Sequence, residues 1–305
     1  MSNVNVKRVV ENIRANTTVY TPIVEAVVNA IQAIDAAQRK HGEIFIRIQR
    51  AGQSEIDGNL PDVCGIEVAD NGIGFTDENR ESFDTLYSEH KSIEGGKGFG
   101  RFTCLKYFEN VRVVSVYETG GGLKQRVFSM GKNRDIIINE KISATVETES
   151  RTSIFLDEIK NAKQIDKKLS TIAKHLVEKL LPYFIIEGYV CPRIVLSEQD
   201  GTDPIHLNDF VDNQLSAVIK ELSTQSNIFK LTGSRGIEEF VVRVFKIYFP
   251  KNQKSRISLV AHKREVSGSA IQKYIPEFSE EFYEKSIGGE ENRERNYIIK
   301  AYVFR

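Results

Sequence analysis

Cysteine is scarce in this sequence of 305 residues, and long apolar runs are missing from it. Cys64, Cys104 and Cys191 are far apart and form no CxxC pair, so neither a disulfide framework nor a zinc site is indicated. We expect reduced, buried thiols. No apolar run of signal-peptide length opens the chain, and no stretch reaches the roughly 18 apolar residues that span a bilayer. These absences predict a cytoplasmic protein without a membrane segment.

An excess of charge of either sign is also missing. The chain has 42 basic and 42 acidic residues and a formal net charge of zero. A neutral molecule has no overall electrostatic attraction to nucleic acid or anionic lipid, although a local basic patch is compatible with this balance. Apolar residues make up 40% of the chain and charged residues 28%, which is typical of a globular protein long enough for two domains.

Hydrophobic periodicity predicts alternating helices and strands in the first half of the chain. Thr21 is a candidate N-cap, Pro22 suits the first helical turn, and Gly42 suits the residue beyond a helix end. The predicted elements are a helix from Thr21 to about Lys40, a hairpin of strands over 43–50 and 63–69, helices over 78–87 and 101–108, and β-rich segments over 111–158. The last region indicates a largely antiparallel sheet.

The second half of the chain predicts a separate α+β unit, so we expect domains over residues 1–160 and 161–305. Its predicted elements are a helix over 165–181 stopped by Pro182, strands over 190–196, 240–249 and 257–261, a helix over 269–285, and a strand over 296–305. The last strand stops without a turn or a polar tail. That ending predicts a fragment of a longer protein, whose C-terminal region would be a partner of this chain.

Four glycines in six residues, Gly95, Gly96, Gly98 and Gly100, directly precede a predicted helix. Such a segment, here with Lys97 and Phe99 between the glycines, lets backbone N–H groups approach phosphate oxygens beside the positive end of a helix dipole. A flexible surface loop is the alternative interpretation. Neither a Walker loop nor a Rossmann glycine motif fits the spacing.

Asp70, Gly72 and Gly74 follow the second predicted strand. A carboxylate at a strand end accepts a hydrogen bond from the exocyclic amine of adenine, and the glycines let the backbone pass close to a flat base. The alternative is a simple turn, because Asp-Asn-Gly is strong turn chemistry.

Glu25 and Asn29 lie four residues apart on the first predicted helix and therefore one turn apart on one face. A carboxylate there activates water, and an amide oxygen ligates Mg²⁺. A solvated helix face is the alternative interpretation for any single pair of this kind.

Together the three motifs resemble the GHKL ATPases, the family of gyrase, heat-shock chaperones, histidine kinases and MutL-type proteins. The resemblance implies a two-layer α/β sandwich, the Bergerat ATP-binding fold. It implies that Glu25 positions the attacking water, that Asn29 holds Mg²⁺, and that Asp70 reads adenine. Gly72 and Gly74 would shape the base pocket, and the segment from Gly95 to Gly100 would be the lid around the phosphates, with Lys97 as a phosphate contact.

Two positions refine this resemblance. Thr152, on a late strand, matches a threonine that the family places near the adenine-binding aspartate, although Arg151 precedes it where glycine is common. Gln32 stands where the family's helix motif usually has aspartate.

The second unit resembles the transducer domain of gyrase- and MutL-like proteins, through residues 259–266. A strand or hairpin with a basic turn explains Lys263 and Arg264 equally well. In such proteins a transducer lysine reaches the γ-phosphate, and its loop is expected just beyond Arg305. Lys254 and Lys263 are the alternatives within the chain.

The leading functional hypothesis is Mg²⁺-dependent binding and slow hydrolysis of ATP, coupled to an ATP-gated homodimer. An ATP-gated binding module without significant turnover is the alternative. A histidine-kinase catalytic domain is a third interpretation, but only about 20 residues precede the first main helix and 145 follow Lys160. DNA repair, DNA topology, chaperoning and anti-phage defence all stay open, because a fold does not decide a function.

Overall fold

A computed structural model describes residues 5–13, 17–52, 60–85, 100–212, 218–222, 227–233, 236–250, 253–285 and 291–305. The chain forms two compact units, the first of Met1–Leu176 and Cys191–Leu207 and the second of Val177–Val190 and Asn208–Arg305. The units alternate along the chain, and the single boundary expected after residue 160 stays a prediction. Among the described residues, no helix combines the length and apolar composition that crossing a membrane requires.

In the described part of the chain, the first unit is built on an eight-stranded sheet in the order β5-β4-β3-β6-β2-β1-β7-β8. Neighbouring strands are antiparallel except β1 and β7. The strands are β1 (Glu43–Arg50), β2 (Val63–Asp70), β3 (Phe108–Thr119), β4 (Gly122–Met130), β5 (Ile137–Ala144), β6 (Arg151–Ile159), β7 (Arg193–Glu198) and β8 (Ile205–His206). The helices are α1 (Val6–Glu11), α2 (Tyr20–Ala37), α3 (Asp77–Asp84), α4 (Thr103–Tyr107) and α5 (Leu169–Ile185), of which α5 runs into the second unit.

Alternation of apolar residues positions the sheet. Ile44, Ile46 and Ile48 on β1 are buried, and β2 pairs with β1 as the predicted hairpin. Helix α2 packs on both strands through its apolar face, so one side of the sheet carries the core.

The ends of α2 differ from the prediction. Its N-cap is Val19, without a side-chain cap, and the predicted cap Thr21 lies inside the first turn, where its hydroxyl accepts the Thr18 N–H at 3.0 Å. The helix ends at Ala37 because Gln38 adopts a left-handed conformation, which a C-terminal glycine would otherwise supply.

Helix α5 corrects a second prediction, since Pro182 lies inside it and does not stop it. Proline cannot donate to the Glu178 carbonyl one turn earlier, which costs about 3 kcal/mol in a helix interior. Leu180, Leu181 and Tyr183 are all buried around the proline. Burial on both sides of Pro182 outweighs the lost hydrogen bond.

Where the structure describes it, the second unit is a seven-stranded sheet in which β10-β11-β15-β12-β13 are neighbours, β9 pairs with β11 and β14 pairs with β15. Its strands are β9 (Ile219–Leu222), β10 (Ile228–Gly233), β11 (Gly236–Tyr248), β12 (Arg256–Ala261), β13 (Arg264–Ala270), β14 (Phe282–Lys285) and β15 (Glu291–Phe304). Strand β10 lies at an edge, and all its side chains are exposed.

The helix predicted over residues 269–285 is wrong. Strand β13 continues to Ala270, which pairs with Arg256, and two 3₁₀ turns and β14 follow it. Pro276 opens the second turn and disfavours helical geometry at the residue before it. His262 and Lys263, both at positive φ, form the tight turn between β12 and β13, so the hairpin with a basic turn is present.

Candidate functional site

One stripe of α2 carries Glu25, Asn29 and Ala33, spaced one helical turn apart. Gly100 packs against the Glu25 end, because a Cβ at this glycine would lie 2.5 Å from Glu25 Oε2. Gly72 packs against the other end, because its Cβ would lie 2.6 Å from the Ala33 backbone. The stripe is about 12 Å long, at about 1.5 Å per residue. Two of the predicted glycine motifs therefore meet one side of one helix.

The Glu25 end of the stripe also faces α4. Burial raises the pKa of the Cys104 thiol to about 12, and the nearby Glu25 carboxylate adds to the increase. This thiol is therefore protonated and unreactive, as a buried structural cysteine is. Cys64 and Cys191 are only partly buried, so the expectation of buried thiols holds for Cys104 alone.

Four polar side chains cross neighbouring strands in register, and we name Asp70, Thr152, Ser115 and Arg126 the polar row. Strand β2 pairs Asp70 with Thr152 of β6, β6 pairs Thr152 with Ser115 of β3, and β3 pairs Ser115 with Arg126 of β4. Their exposed fractions are 8%, 6%, 0% and 2%. Buried polar groups need hydrogen-bond partners. The four side chains of the polar row must therefore find theirs within the protein, on the core-facing side of the sheet.

Asp70 lies at the end of β2 beside the Ala33 end of the stripe. Its Oδ1 accepts the Gly72 N–H at 2.9 Å. Burial raises the pKa of this carboxyl to about 7, and the Gly72 hydrogen bond opposes the increase. The carboxyl therefore changes charge near neutral pH, where a ligand that donates to it favours the ionised form.

The backbone after Asp70 is fastened from two sides. Asn71 Oδ1 accepts the Glu43 N–H at 2.9 Å, and Arg39 Nε donates to the Asn71 carbonyl at 2.9 Å. Ser150 donates from its hydroxyl to the Gly72 carbonyl at 2.7 Å, and Arg39 donates to the Ser150 hydroxyl at 3.1 Å. These four hydrogen bonds hold the loop between β1, the end of α2 and the residues before β6.

Gly74 is required by the backbone it adopts. Its φ is +79°, and a Cβ there would lie 2.2 Å from the Val116 carbonyl oxygen. The next peptide is clamped by two members of the polar row: the Phe75 N–H donates to Ser115 Oγ at 2.7 Å, and the Phe75 carbonyl accepts from Arg126. The glycine and the row together set the path from β2 to α3.

Arg101 follows Gly100 and caps the end of α3. Its guanidinium donates to the carbonyls of Ser82, Phe83 and Thr85 at 3.0, 2.5 and 2.8 Å. Burial lowers the pKa of Arg101 to about 10, so the side chain stays charged at neutral pH. It therefore ties the residue after Gly100 to the residues at the end of α3.

The structure places the predicted site residues along the α2 stripe. Glu25 and Gly100 lie at one end of the stripe, Asn29 lies at its middle, and Asp70, Gly72, Gly74 and Thr152 lie at the other end. Gly95, Gly96, Lys97, Gly98 and Phe99 lie outside the described residues.

Sequence reasoning missed Ser115, Arg126, Arg39 and Ser150. Ser115 left a signal, because it is the one polar residue at a core-facing position between Val113 and Tyr117. Arg39 and Ser150 left none, because their partners are distant in sequence.

Comparison with known proteins places this site in context. Residues 15–148 match the family model described as histidine kinase-, DNA gyrase B-, and HSP90-like ATPase. A search of curated proteins finds no match. A solved structure titled "Crystal Structure of N terminal domain of a DNA repair protein" is similar, with a TM-score of 0.55 and 14% identity over 98% of this chain and 86% of that chain. This likeness shows the fold, and the predicted α+β class, a two-layer sandwich followed by a second sheet unit, is confirmed.

Proposed function

We propose that this chain, whose residues 15–148 belong to the histidine kinase-, DNA gyrase B-, and HSP90-like ATPases, binds ATP with Mg²⁺ and hydrolyses it slowly. The observation that carries the proposal is the two-ended α2 stripe. Acceptor groups lie buried at its Ala33 end, the Glu25 carboxylate lies at its other end, and the Asn29 amide lies between them. This arrangement fits a nucleotide whose adenine ring lies at the Ala33 end and whose phosphates lie at the Glu25 end.

At the base end, the Asp70 carboxylate accepts from the exocyclic amine of adenine, and Thr152 lies beside it in the polar row. Gly72 packs against Ala33 and Gly74 against the Val116 carbonyl, where neither position has room for a Cβ, and this packing fixes the path of the loop that follows Asp70. The same contacts suit ATP and ADP, because the base is shared.

At the phosphate end, Glu25 orients and deprotonates the attacking water. Asn29 offers an amide oxygen one turn away, which is a hard ligand of the kind that Mg²⁺ accepts alongside phosphate oxygens and water. Mg²⁺ held there by Asn29 would neutralise charge on the phosphates. Contacts of Gly95, Gly96, Lys97 and Gly98 with the phosphates stay predictions, as does a phosphate-sensing role for Lys254 or Lys263.

Further parts of the proposal rest on the family resemblance and on the sequence analysis. We propose that ATP closes a homodimer and that the protein acts in the cytoplasm, with the pathway undecided. A binding module without turnover is the second candidate. It differs from the first only in that Glu25 would not activate water for hydrolysis. The solved structure's title names DNA repair, which makes DNA a partner to test for this chain.

Isothermal titration calorimetry tests the nucleotide site. ATP and ADP should bind more tightly than GTP, and Asp70→Asn should weaken ATP binding at least about 30-fold, because a charge-assisted acceptor becomes an amide that also presents donors. Asp135→Asn is the matched control, since it removes an exposed carboxylate of the same unit. Equal affinity for GTP would refute adenine recognition, and no binding of any nucleotide would refute the function.

A further inference from the structure

We propose that Ser115 determines base specificity by fixing the direction of the Thr152 hydroxyl. In this arrangement Thr152 presents only lone pairs to the base, and the pocket selects an amino group over an oxo group. The inference rests on the proposed ATP site and adds a residue that makes no base contact itself, so Ser115 is a positioning residue.

The geometry around Ser115 is saturated. Its Oγ lies 2.7 Å from the Phe75 nitrogen, 3.0 Å from the Arg151 carbonyl oxygen and 2.9 Å from Thr152 Oγ1. The side chain is fully buried, so water does not compete for these contacts.

Counting protons fixes the direction of each hydrogen bond. A serine hydroxyl has one proton and two lone pairs. The Phe75 N–H donates into one lone pair, and the Arg151 carbonyl can only accept, so it takes the single proton of Ser115. Thr152 must therefore donate to the second lone pair of Ser115. The one hydroxyl proton of Thr152 is therefore used in the hydrogen bond to Ser115 on the neighbouring strand.

The consequence reaches the base pocket through Asp70. Thr152 and Asp70 are directly paired on adjacent antiparallel strands, where Cβ atoms lie about 5 Å apart. An ionised Asp70 also presents only acceptors. Two adjacent acceptors match a base edge that carries an amine, as adenine does, and repel the oxo group that hypoxanthine carries at the same position.

A purely structural role for Ser115 predicts something different. Loss of its hydroxyl would then loosen Phe75 and weaken every nucleotide to the same degree. The ratio of affinities for ATP and inosine triphosphate separates the two roles, because these ligands differ only at the base edge.

The experiment measures Kd for ATP and inosine triphosphate with the full chain by calorimetry. Ser115→Ala should lower the preference for ATP about tenfold, the effect of about one hydrogen bond, because the Thr152 hydroxyl can then turn and donate to the oxo group. Ser115→Thr keeps the hydroxyl and should restore the preference. Ser197→Ala, which removes another buried serine of the same unit, should leave the preference unchanged.

A double-mutant cycle guards against a folding defect. Thr152→Val removes the hydroxyl that Ser115 orients, so Ser115→Ala should change the preference no further in the Thr152→Val background. If Ser115→Ala does not fold, Ser115→Cys serves instead, because a thiol is a nearly isosteric but weak donor and acceptor. A preference that stays constant in folded Ser115→Ala or Ser115→Cys would overturn this inference and leave the ATP site standing. Failure of the unaltered chain to bind ATP would overturn the site itself.

Discussion

At the scale of single residues, burial gives Asp70 a strongly raised pKa. Its pKa rises from 3.8 to about 7 on folding because it is buried. Between these values the folded chain holds a proton that the unfolded chain releases. The free energy of unfolding therefore falls as pH rises through this window, and above about pH 7 it stays at the lower value.

Asp70→Asn should remove this dependence. At about pH 8 the variant is expected to be more stable than the parent by up to about 4 kcal/mol, from about three pKa units at 1.36 kcal/mol each, and the difference should shrink toward zero at about pH 4. Urea unfolding at the two pH values measures it, with Asp135→Asn as the control. An equal stability difference at both pH values would show that Asp70 does not carry the raised pKa.

Glu25 and Asn29 separate chemistry from binding. Glu25→Ala should keep ATP affinity within about threefold and reduce turnover at least about 100-fold, the usual contribution of a general base. Asn29→Ala should weaken the Mg²⁺-dependent part of binding. Calorimetry with and without Mg²⁺ and a phosphate-release assay measure both. Hydrolysis at the parental rate by Glu25→Ala would exclude the general-base role.

At the scale of elements, the junction between β2 and α3 depends on Gly74. Gly74→Ala should cost about 3 kcal/mol or more, because a methyl group at φ +79° would also collide with the Val116 carbonyl. Gly122 is the matched control: it has φ +106° but nothing within 4 Å, so Gly122→Ala should cost about 1 kcal/mol. Chemical denaturation of both variants compares them. Equal costs would mean that backbone conformation alone, without the close contact, governs Gly74.

Elements with strong local patterns were predictable from sequence. Strands β1 and β2 and their hairpin follow from alternation in residues 43–50 and 63–69, since period-two burial depends only on neighbouring residues. Sequence predicted that Pro182 ends α5. This was wrong because burial of its neighbours, a tertiary effect, keeps it inside the helix. The helix predicted over residues 269–285 was wrong because Ser269 and Ala270 pair with β12 and Phe282–Lys285 pairs with β15, and these strand pairings override the helical spacing.

The candidate site divides in the same way. Glu25 and Asn29 share a face through helical spacing alone, so sequence predicts that they lie together. The polar row depends on which strands become neighbours and in which register, and β6 lies between β2 and β3 although it follows both in sequence. The family resemblance was enough to predict Thr152. The hydrogen bond between Thr152 and Ser115 could be found only from the strand register of the structure.

At the scale of the whole molecule, a net charge of zero and a pI near 7.0 limit the choice of partners. Non-specific DNA binding comes mostly from phosphate neutralisation by basic residues. We expect this chain to bind a random-sequence duplex no more tightly than about 100 µM at physiological salt. Fluorescence anisotropy across a salt series measures it. Tighter binding with a steep salt dependence would reveal a local basic patch that the overall charge conceals.

The exposed edge strand β10 affects how long a solution of the protein stays free of aggregates. Ile228, Phe229 and Leu231 are each more than half exposed there, at 52%, 53% and 61%. The outer backbone groups of an edge strand are a template for a second strand. Because two molecules must meet for such pairing, its initial rate grows with the square of concentration, and each doubling roughly halves the time in which a given fraction of the sample pairs. A concentrated stock of this protein is thus expected to age faster than a dilute one at the same equilibrium stability.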